Sequence, residues 1–442
     1  MGKPLPRMLG ADTEVACIDG RMRRYANLDN AASTPVMTDV WAAVEAFVPW
    51  YSSVHRGSGV KSQVATAEFE GAREVVARFV GARPADTVVF VRNTTEAINV
   101  LAASLPAGTR VLSSTSEHHA NMLPWRRHDV RLLPFTRSPG ELLDACERAL
   151  RAERIDVLAV TGASNVTGEV WPVEELARRA HEHGAELFVD AAQLAPHRAI
   201  DMGRSGIDHL ALSGHKLYAP FGSGALVGRL RDGAPLLAGG GAIRLVTVDD
   251  VTWAPAPDRF EAGSPNVIGV IALAAACRSL MALGMDTVAA HERSLAVRLW
   301  TALARVPGLE MLTQWAPGTV DRVGVATFNL ARYRDPLLAA ILSAEHAIGV
   351  RHGCFCAHPL MTHLLGVGDR EAARLHAELR AGRQPILPGA VRASLGLGTT
   401  VEDIDRLVGA LHEIARHGPR FRYVHAREHD EYSAAETGRF AA

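Results

Sequence analysis

The sequence predicts an α/β chain, with a mainly parallel sheet covered by helices on both faces and a smaller α+β domain behind it. Three observations predict this. Short runs of Val, Ile, Leu and Phe recur at TVVFV, RVLSS, VRLLPF, DVLAVTG, ELFVD and HLALS. Helical segments such as EAINVLAASL and VEELARRAHEHG separate several of them, and past about Leu283 the pattern turns helical before a last strand and helix. Strands buried on both faces read as near-continuous apolar runs, and helical crossovers between them make the sheet parallel.

Taken in order, residues 1–27 are polar and basic and are expected to lie against the smaller domain. RRYANLDNAASTP then reads as a tight turn before a helix over about 36–50. In VATAEFEGAREVVARFVGA, the residues Val64, Phe69, Val75, Val76 and Phe79 recur at helical spacing up to Gly81. The alternating strands and helices follow, completing a large domain over 28–300. MDTVAAHERSLAVRLWTALARV is helical, VGVATFNL a strand and DPLLAAILSAEHA a helix. The closing helix sets Ile404, Leu407, Val408, Leu411 and Ile414 on one face. The smaller domain therefore spans 301–418, and 419–442 read as a mobile tail.

Composition narrows the function. The 442 residues are 48% hydrophobic and 21% charged, which is ordinary for a globular chain and unlike disordered, collagenous or membrane sequences. With 47 basic against 48 acidic residues there is no global attraction to nucleic acid or anionic lipid. The longest tempting apolar run, over 267–276, is half the ~20 residues a spanning helix needs. The N-terminus lacks a secretory pattern, so a cytoplasmic protein is expected. Five cysteines are too few for a disulfide scaffold. Cys17, Cys146 and Cys277 stand alone, whereas Cys354 and Cys356 share RHGCFCAHPL.

Some polar residues at strand ends, where open α/β sheets place their ligands, read chemically. Lys216 follows HLALSGH and is one of only three lysines. It is either a surface lysine or an amine held for Schiff-base formation with a carbonyl, for which pyridoxal phosphate is the obvious partner. Asp190, ending ELFVD, is either a cap or the acid that keeps that cofactor's ring nitrogen protonated. Asn93, Thr94 and Thr95 open a helix after a strand, as a plain cap or as an anion site for a phosphate. His118 and His119 sit in a loop where an imidazole could stack on a pyridine ring or simply face water.

The segments LDNAAST, VHRG, RNTTEAIN, EHHANMLPW, SNVTG, VDAAQ, SGHKLYAPFGSG, FEAGSPN, VRHGCFCAHPLM and VRASLG occur in that order. With them the chain, over about 28–418, resembles class V aminotransferase-fold enzymes, and within these the cysteine desulfurase and selenocysteine lyase family. The resemblance implies a pyridoxal-phosphate-dependent transferase fold, with an aspartate-aminotransferase-like large domain and a small α+β C-terminal domain. It implies that Lys216 carries pyridoxal 5'-phosphate, that His118 stacks on the ring, and that Asp190 and Gln193 contact the ring nitrogen and phenolate oxygen. Thr94, Thr95, Ser213 and His215 would hold the phosphate, and Ser264 would reach the phosphate of a second subunit, giving a homodimer with shared sites. Arg392 would take the substrate carboxylate, where a guanidinium fork suits a planar group. Ala32, His55, Asn165 and Arg351 would complete the substrate pocket, Asn165 also touching the cofactor.

By the same resemblance Cys356 is the nucleophile that takes sulfur from the substrate as a persulfide, and nearby His352, His358 or Arg351 would favour its thiolate if the fold brings them close. Cys354 departs from the family pattern. It reads as a pocket-lining thiol, a sulfur relay or redox partner, or a metal ligand, although two cysteines and loose histidines make no zinc signature, and no metal is expected. Residues 362–390 look longer than the corresponding link in short-loop desulfurases, and DREAARLHAELRAG within them should be helical. They form either a tolerated surface insertion or an altered gate or docking surface. The expected function is a desulfurase or lyase converting L-cysteine or L-selenocysteine to L-alanine, with a sulfur-acceptor protein as a possible partner. Because fold does not fix reaction, a carbon–sulfur lyase acting on a cysteine conjugate, or a biosynthetic aminotransferase, is the alternative.

Overall fold

The computed structural model describes residues 4–426, 428 and 430–435, and the chain divides into two compact units. The first comprises Met1–Leu9, Ser33–Ser164 and Val170–Ala289, the second Gly10–Ala32, Asn165–Glu169 and Ala290–Ala442. The boundary thus falls between Ala289 and Ala290, within the helix Met285–Leu303 that also contains the expected boundary at 300, and 10–32 group with the second unit.

The first unit is built on seven strands: β1 (Thr87–Val91), β2 (Arg110–Ser114), β3 (Asp129–Leu133), β4 (Val157–Thr161), β5 (Glu186–Asp190), β6 (His209–Ser213) and β7 (Gly224–Gly228). Their order is β1-β7-β6-β5-β4-β2-β3. β3, β2, β4, β5 and β6 pair in parallel, and β7 runs antiparallel to both β6 and β1. β1 therefore points the same way as the parallel set, and Val91, Ser114, Thr161, Asp190 and Ser213 all end at one edge of the sheet. β7 lies outside the apolar runs that the sequence offers as strands. Its glycines permit close approach: a β-carbon on Gly224 would meet the Leu212 carbonyl oxygen at 2.5 Å. Both faces are covered, with Ile98, Leu101, Trp125 and Phe188 among the buried cluster on one side. Helix Val267–Leu283, apolar nearly all round, packs on helices Thr38–Phe47 and Val60–Phe79. No single described helix is long and apolar enough to cross a membrane.

The second unit carries an antiparallel sheet of β8 (Leu309–Leu312), β9 (Val325–Leu330), β10 (Arg351–Gly353) and β11 (Ala390–Ser394), in the order β8-β9-β11-β10. Phe328, Leu338, Ile341, Leu407 and Leu411 fill the core between this sheet and its helices. The expected helix face holds: Ile404, Leu407, Leu411 and Ile414 are buried, and Val408 packs against them partly exposed. That helix opens with a capping box, Thr400 accepting from the Asp403 amide at 3.2 Å and Asp403 from the Thr400 amide at 2.9 Å. Within 362–390 the expected helix is present as Asp369–Arg380, resting on Leu375 beside a cavity of about 460 Å³.

The segment after Gly418 is not simply a mobile tail. Tyr423–Ala426 and Glu431–Ala434 form a hairpin, fixed by Arg334 donating to both oxygens of Asp430 at 2.7 and 2.8 Å and by the Tyr423 hydroxyl donating to Glu345 at 3.0 Å. These partners lie far away in sequence, which is why a polar stretch gave no sign of order. The rest of the expected tail, 436–442, lies outside the described residues.

Candidate active site

In the first unit the strand ends assemble a polar site. Helix Thr94–Ser104 begins just beyond β1, and its first turn faces the end of β6. Thr94 donates its amide to the Ser213 hydroxyl at 2.8 Å, and the two hydroxyls are also 2.8 Å apart. Asn93 caps the helix by accepting from the Glu96 amide at 3.0 Å, leaving the Thr94–Ser213 pair at a helix N-terminus, the natural seat of an anion. Thr95 is exposed on the same turn. His215 is half-buried, and its carbonyl accepts from the Thr34 amide at 2.9 Å.

Asp190 ends β5 and is 5% exposed, accepting from the Ala192 amide at 2.9 Å. Burial raises its pKa, while the Ala192 amide and the positive charge of Lys216 pull it down. Lys216 therefore lies within electrostatic reach of Asp190, in a single turn Gly214–Lys216 beyond β6. Gln193 is buried. His118 is half-buried, its Nδ1 accepting from the Ala120 amide at 3.0 Å. Sequence reasoning passed over Ser223, whose hydroxyl is buried without a hydrogen-bond partner among the described residues, beside the carbonyl that receives the Gly214 amide at 2.7 Å. A buried orphan hydroxyl costs free energy unless a ligand or water meets it. An acid at a strand end, an amine facing it, and hydroxyls at a helix N-terminus form a donor set that fits a phosphorylated pyridine aldehyde. His55 and Ser264 lie apart from these, on a cavity of about 510 Å³ also lined by Tyr51, Arg56 and Gly241. His55 has φ +70°, and its Nε2 is 2.9 Å from Glu70.

In the second unit Arg392, on β11, is the centre. It is 3% exposed, donates to the Asn165 carbonyl at 2.9 Å and to Asp29 at 3.2 Å, and lies over the Phe355 ring at 4.9 Å. Its Nε is buried with no hydrogen-bond partner among the described residues. Burial lowers its pKa to about 10, Asp29 opposing and Arg351 reinforcing the fall. It stays charged at neutral pH, with an unmet donor. Arg351, its register partner on β10, is exposed and 3.6 Å from the other Asp29 oxygen. Ala32 is half-buried, its amide donating to the Asp29 carbonyl at 3.1 Å. Asp29 itself was missed in the sequence, because nothing in LDNAAST reveals that it balances an arginine 363 positions away.

Cys354, Phe355, Cys356 and Ala357 form a tight turn, with the Ala357 amide donating to the Cys354 carbonyl at 3.0 Å. Phe355 has φ +53° and Cys356 φ +54°. Two positive φ values in the middle of a closed turn are the type I′ pattern, which normally takes Asn or Gly. Here two side chains occupy it, at a cost of about 1–2 kcal/mol each. Asn165 holds the turn by donating to the Phe355 carbonyl at 2.8 Å, and Arg392 does so through the ring. Cys356 is exposed and Cys354 half-exposed, whereas Cys17, Cys146 and Cys277 are buried, the last two with pKa values pushed up to about 12 by burial. Of the neighbours expected to favour a thiolate, His358 has its pKa lowered by burial and so supplies no ready positive charge, and His352 lies 3.8 Å from Asp335. Among the described residues no cluster of ligating side chains could hold a metal ion.

Comparison with known proteins shows what this arrangement is similar to. Residues 26–407 match the family model of class-V aminotransferases. A cysteine desulfurase of Dickeya dadantii (strain 3937) is 40% identical over 407 residues, which cover 88% of this chain and 92% of that one. Among solved structures, the apo cysteine desulfurase of Thermococcus onnurineus NA1 superposes with a TM-score of 0.78 at 28% identity, covering 94% of this chain and all of that one. An Escherichia coli cysteine desulfurase in its S-sulfonic acid form gives 0.73 at 32% identity, covering 88% and 94%.

Proposed function

We propose, for a chain that belongs to the class-V aminotransferase family and within it to the cysteine desulfurases, that the protein converts L-cysteine to L-alanine and takes the sulfur onto Cys356 as a persulfide. The observation that carries the reading is the exposed Cys356 thiol on a strained turn that Asn165 and Arg392 hold in place. Enzymes of this family depend on pyridoxal phosphate, which when bound withdraws electrons from the substrate's Cα. Lys216 would hold it, Asp190 would keep its ring nitrogen charged, with Gln193 and His118 against the ring, and Thr94, Thr95, Ser213 and His215 would take its phosphate.

The chain's own residues do the rest. Arg392 would bind the substrate carboxylate, using the Nε donor that has no partner among the described residues, with Asn165, Arg351 and Ala32 of the same unit and with His55 as a further substrate contact. Lys216 would take the proton from the substrate's Cα. The Cys356 thiolate attacks the substrate sulfur, forming a sulfur–sulfur bond as the carbon–sulfur bond breaks, and the released electron pair ends on the carbon that becomes the alanine methyl. An acceptor protein then removes the outer sulfur, and selenocysteine fits the same contacts.

A homodimer is part of the proposal. Ser264 is exposed on the cavity it shares with His55, and exposed Trp50, Tyr51 and Val60 nearby supply apolar surface that a second copy would cover.

The test is to give L-cysteine to the cofactor-loaded protein and to Cys356→Ala, measuring alanine, pyruvate and protein-bound sulfur by mass spectrometry. Alanine with persulfide mapped to Cys356, both lost in the variant, is the expected result. Undiminished alanine formation in Cys356→Ala would refute the persulfide step, and pyruvate without persulfide would make the protein a carbon–sulfur lyase.

A further inference from the structure

Glu117 precedes His118 in the loop after β2 and is completely buried, yet nothing above gives it work. Both of its oxygens are bonded. One accepts from the Thr161 amide at 3.0 Å, the other from the Asn121 side-chain amide at 2.7 Å, and Asn121 in turn accepts from Trp125 at 3.0 Å. Thr161 ends β4 in register with Asp190 on β5, and the next amide, that of Gly162, donates to the Asp190 carbonyl at 2.8 Å. Glu117 thus joins the His118 loop to the strand end beside Asp190.

A carboxyl is an expensive group to bury for shape alone, since an amide or an apolar residue fills the volume at lower cost. Burial pushes the Glu117 pKa up to about 8, the Asn121 and Thr161 donors restraining the rise and Asp190 adding to it, so the carboxyl ionises at neutral pH only where a positive charge beside it favours the anion. The charged and titratable groups around it are Asp190, Lys216 facing Asp190, and His118 and His119 on its own loop.

We propose that Glu117 is a positioning residue for the cofactor, tying the His118 loop to the strand beside Asp190, and that its carboxylate and a positive charge on the bound ring system favour one another. The inference rests on the reading of Asp190 as partner of the ring nitrogen. Its sign is fixed: a nearby anion raises the pKa of a cationic group, so removing the anion lowers it.

The experiment is a pH titration of the visible absorbance of cofactor-loaded wild type, Glu117→Gln and Glu117→Asp. Glu117→Gln keeps the volume and loses the charge, and its spectral midpoint is expected about one pH unit below wild type. Glu117→Asp keeps the charge, and its midpoint is expected close to wild type. An unmoved midpoint in Glu117→Gln overturns the proposal, as does a Glu117→Asp midpoint displaced as far as that of Glu117→Gln, which would make shape the cause. If Glu117→Gln does not fold, the Glu117→Asp midpoint decides alone, agreement with wild type supporting the role of charge and displacement ending it. Wild-type protein that takes up no pyridoxal phosphate would overturn the functional reading, and this inference with it.

Discussion

Asp29 is the sharpest place to test the second unit's chemistry. Asp29→Asn preserves size and removes the only carboxylate seen on Arg392 among the described residues. At 3.2 Å, with an effective dielectric of about 20, the pair is worth up to ~5 kcal/mol. Asp29 is 23% exposed and shares its charge with Arg351 at 3.6 Å, which reduces the net effect to about 1–2 kcal/mol. That corresponds to a fall of about one pH unit in the Arg392 pKa. Because only the guanidinium binds a carboxylate, affinity is lost as pH rises through that pKa. The loss should centre near 10 in the wild type and about one unit lower in Asp29→Asn. Propionate, which does not titrate in this range, serves as the probe, its inhibition constant being followed against pH. Below the transition the variant should bind propionate at least as tightly as wild type, since an internal competitor has gone. An alkaline limb unmoved by the substitution would refute the claim that Asp29 sustains the charge on Arg392.

Two further outcomes test the first unit. Arg73 donates to both oxygens of buried Glu261 at 2.6 and 2.7 Å, so Arg73→Ala should cost about 3–5 kcal/mol by stranding that carboxylate, read as a lowered midpoint in urea unfolding. Ser213→Ala removes a partner from Thr94 and should weaken pyridoxal phosphate binding about tenfold, some 1.4 kcal/mol, by fluorescence titration; unchanged affinity would separate this pair from the phosphate.

Residues whose role is local were legible in the sequence. The strands at Thr87–Val91, Arg110–Ser114, Glu186–Asp190 and His209–Ser213 stand where the apolar runs placed them, because each satisfies its own alternation of strand and turn. β7 did not, since GALVG owes its strand to two neighbours that need glycine close by rather than to any run of branched residues. Asp29, Glu117 and the hairpin Tyr423–Ala434 were missed for one reason: each is fixed by a partner remote in sequence, Arg392, Thr161 and Glu345 among them. Lys216 and Asp190 drew notice in the sequence because strand ends are places where an unusual residue shows, and they stand just beyond β6 and at the end of β5.

The turn that bears Cys356 limits what can be borrowed from this protein. Its left-handed backbone is not sustained by its own four residues, which favour other conformations, but by Asn165, 190 positions away, and by the guanidinium of Arg392. A CFCA segment grafted onto another scaffold would arrive without these external supports and relax, carrying the thiol out of alignment. Transplanting the proposed nucleophile therefore means transplanting the clamp, and a library that varies only the loop would be searching the wrong residues.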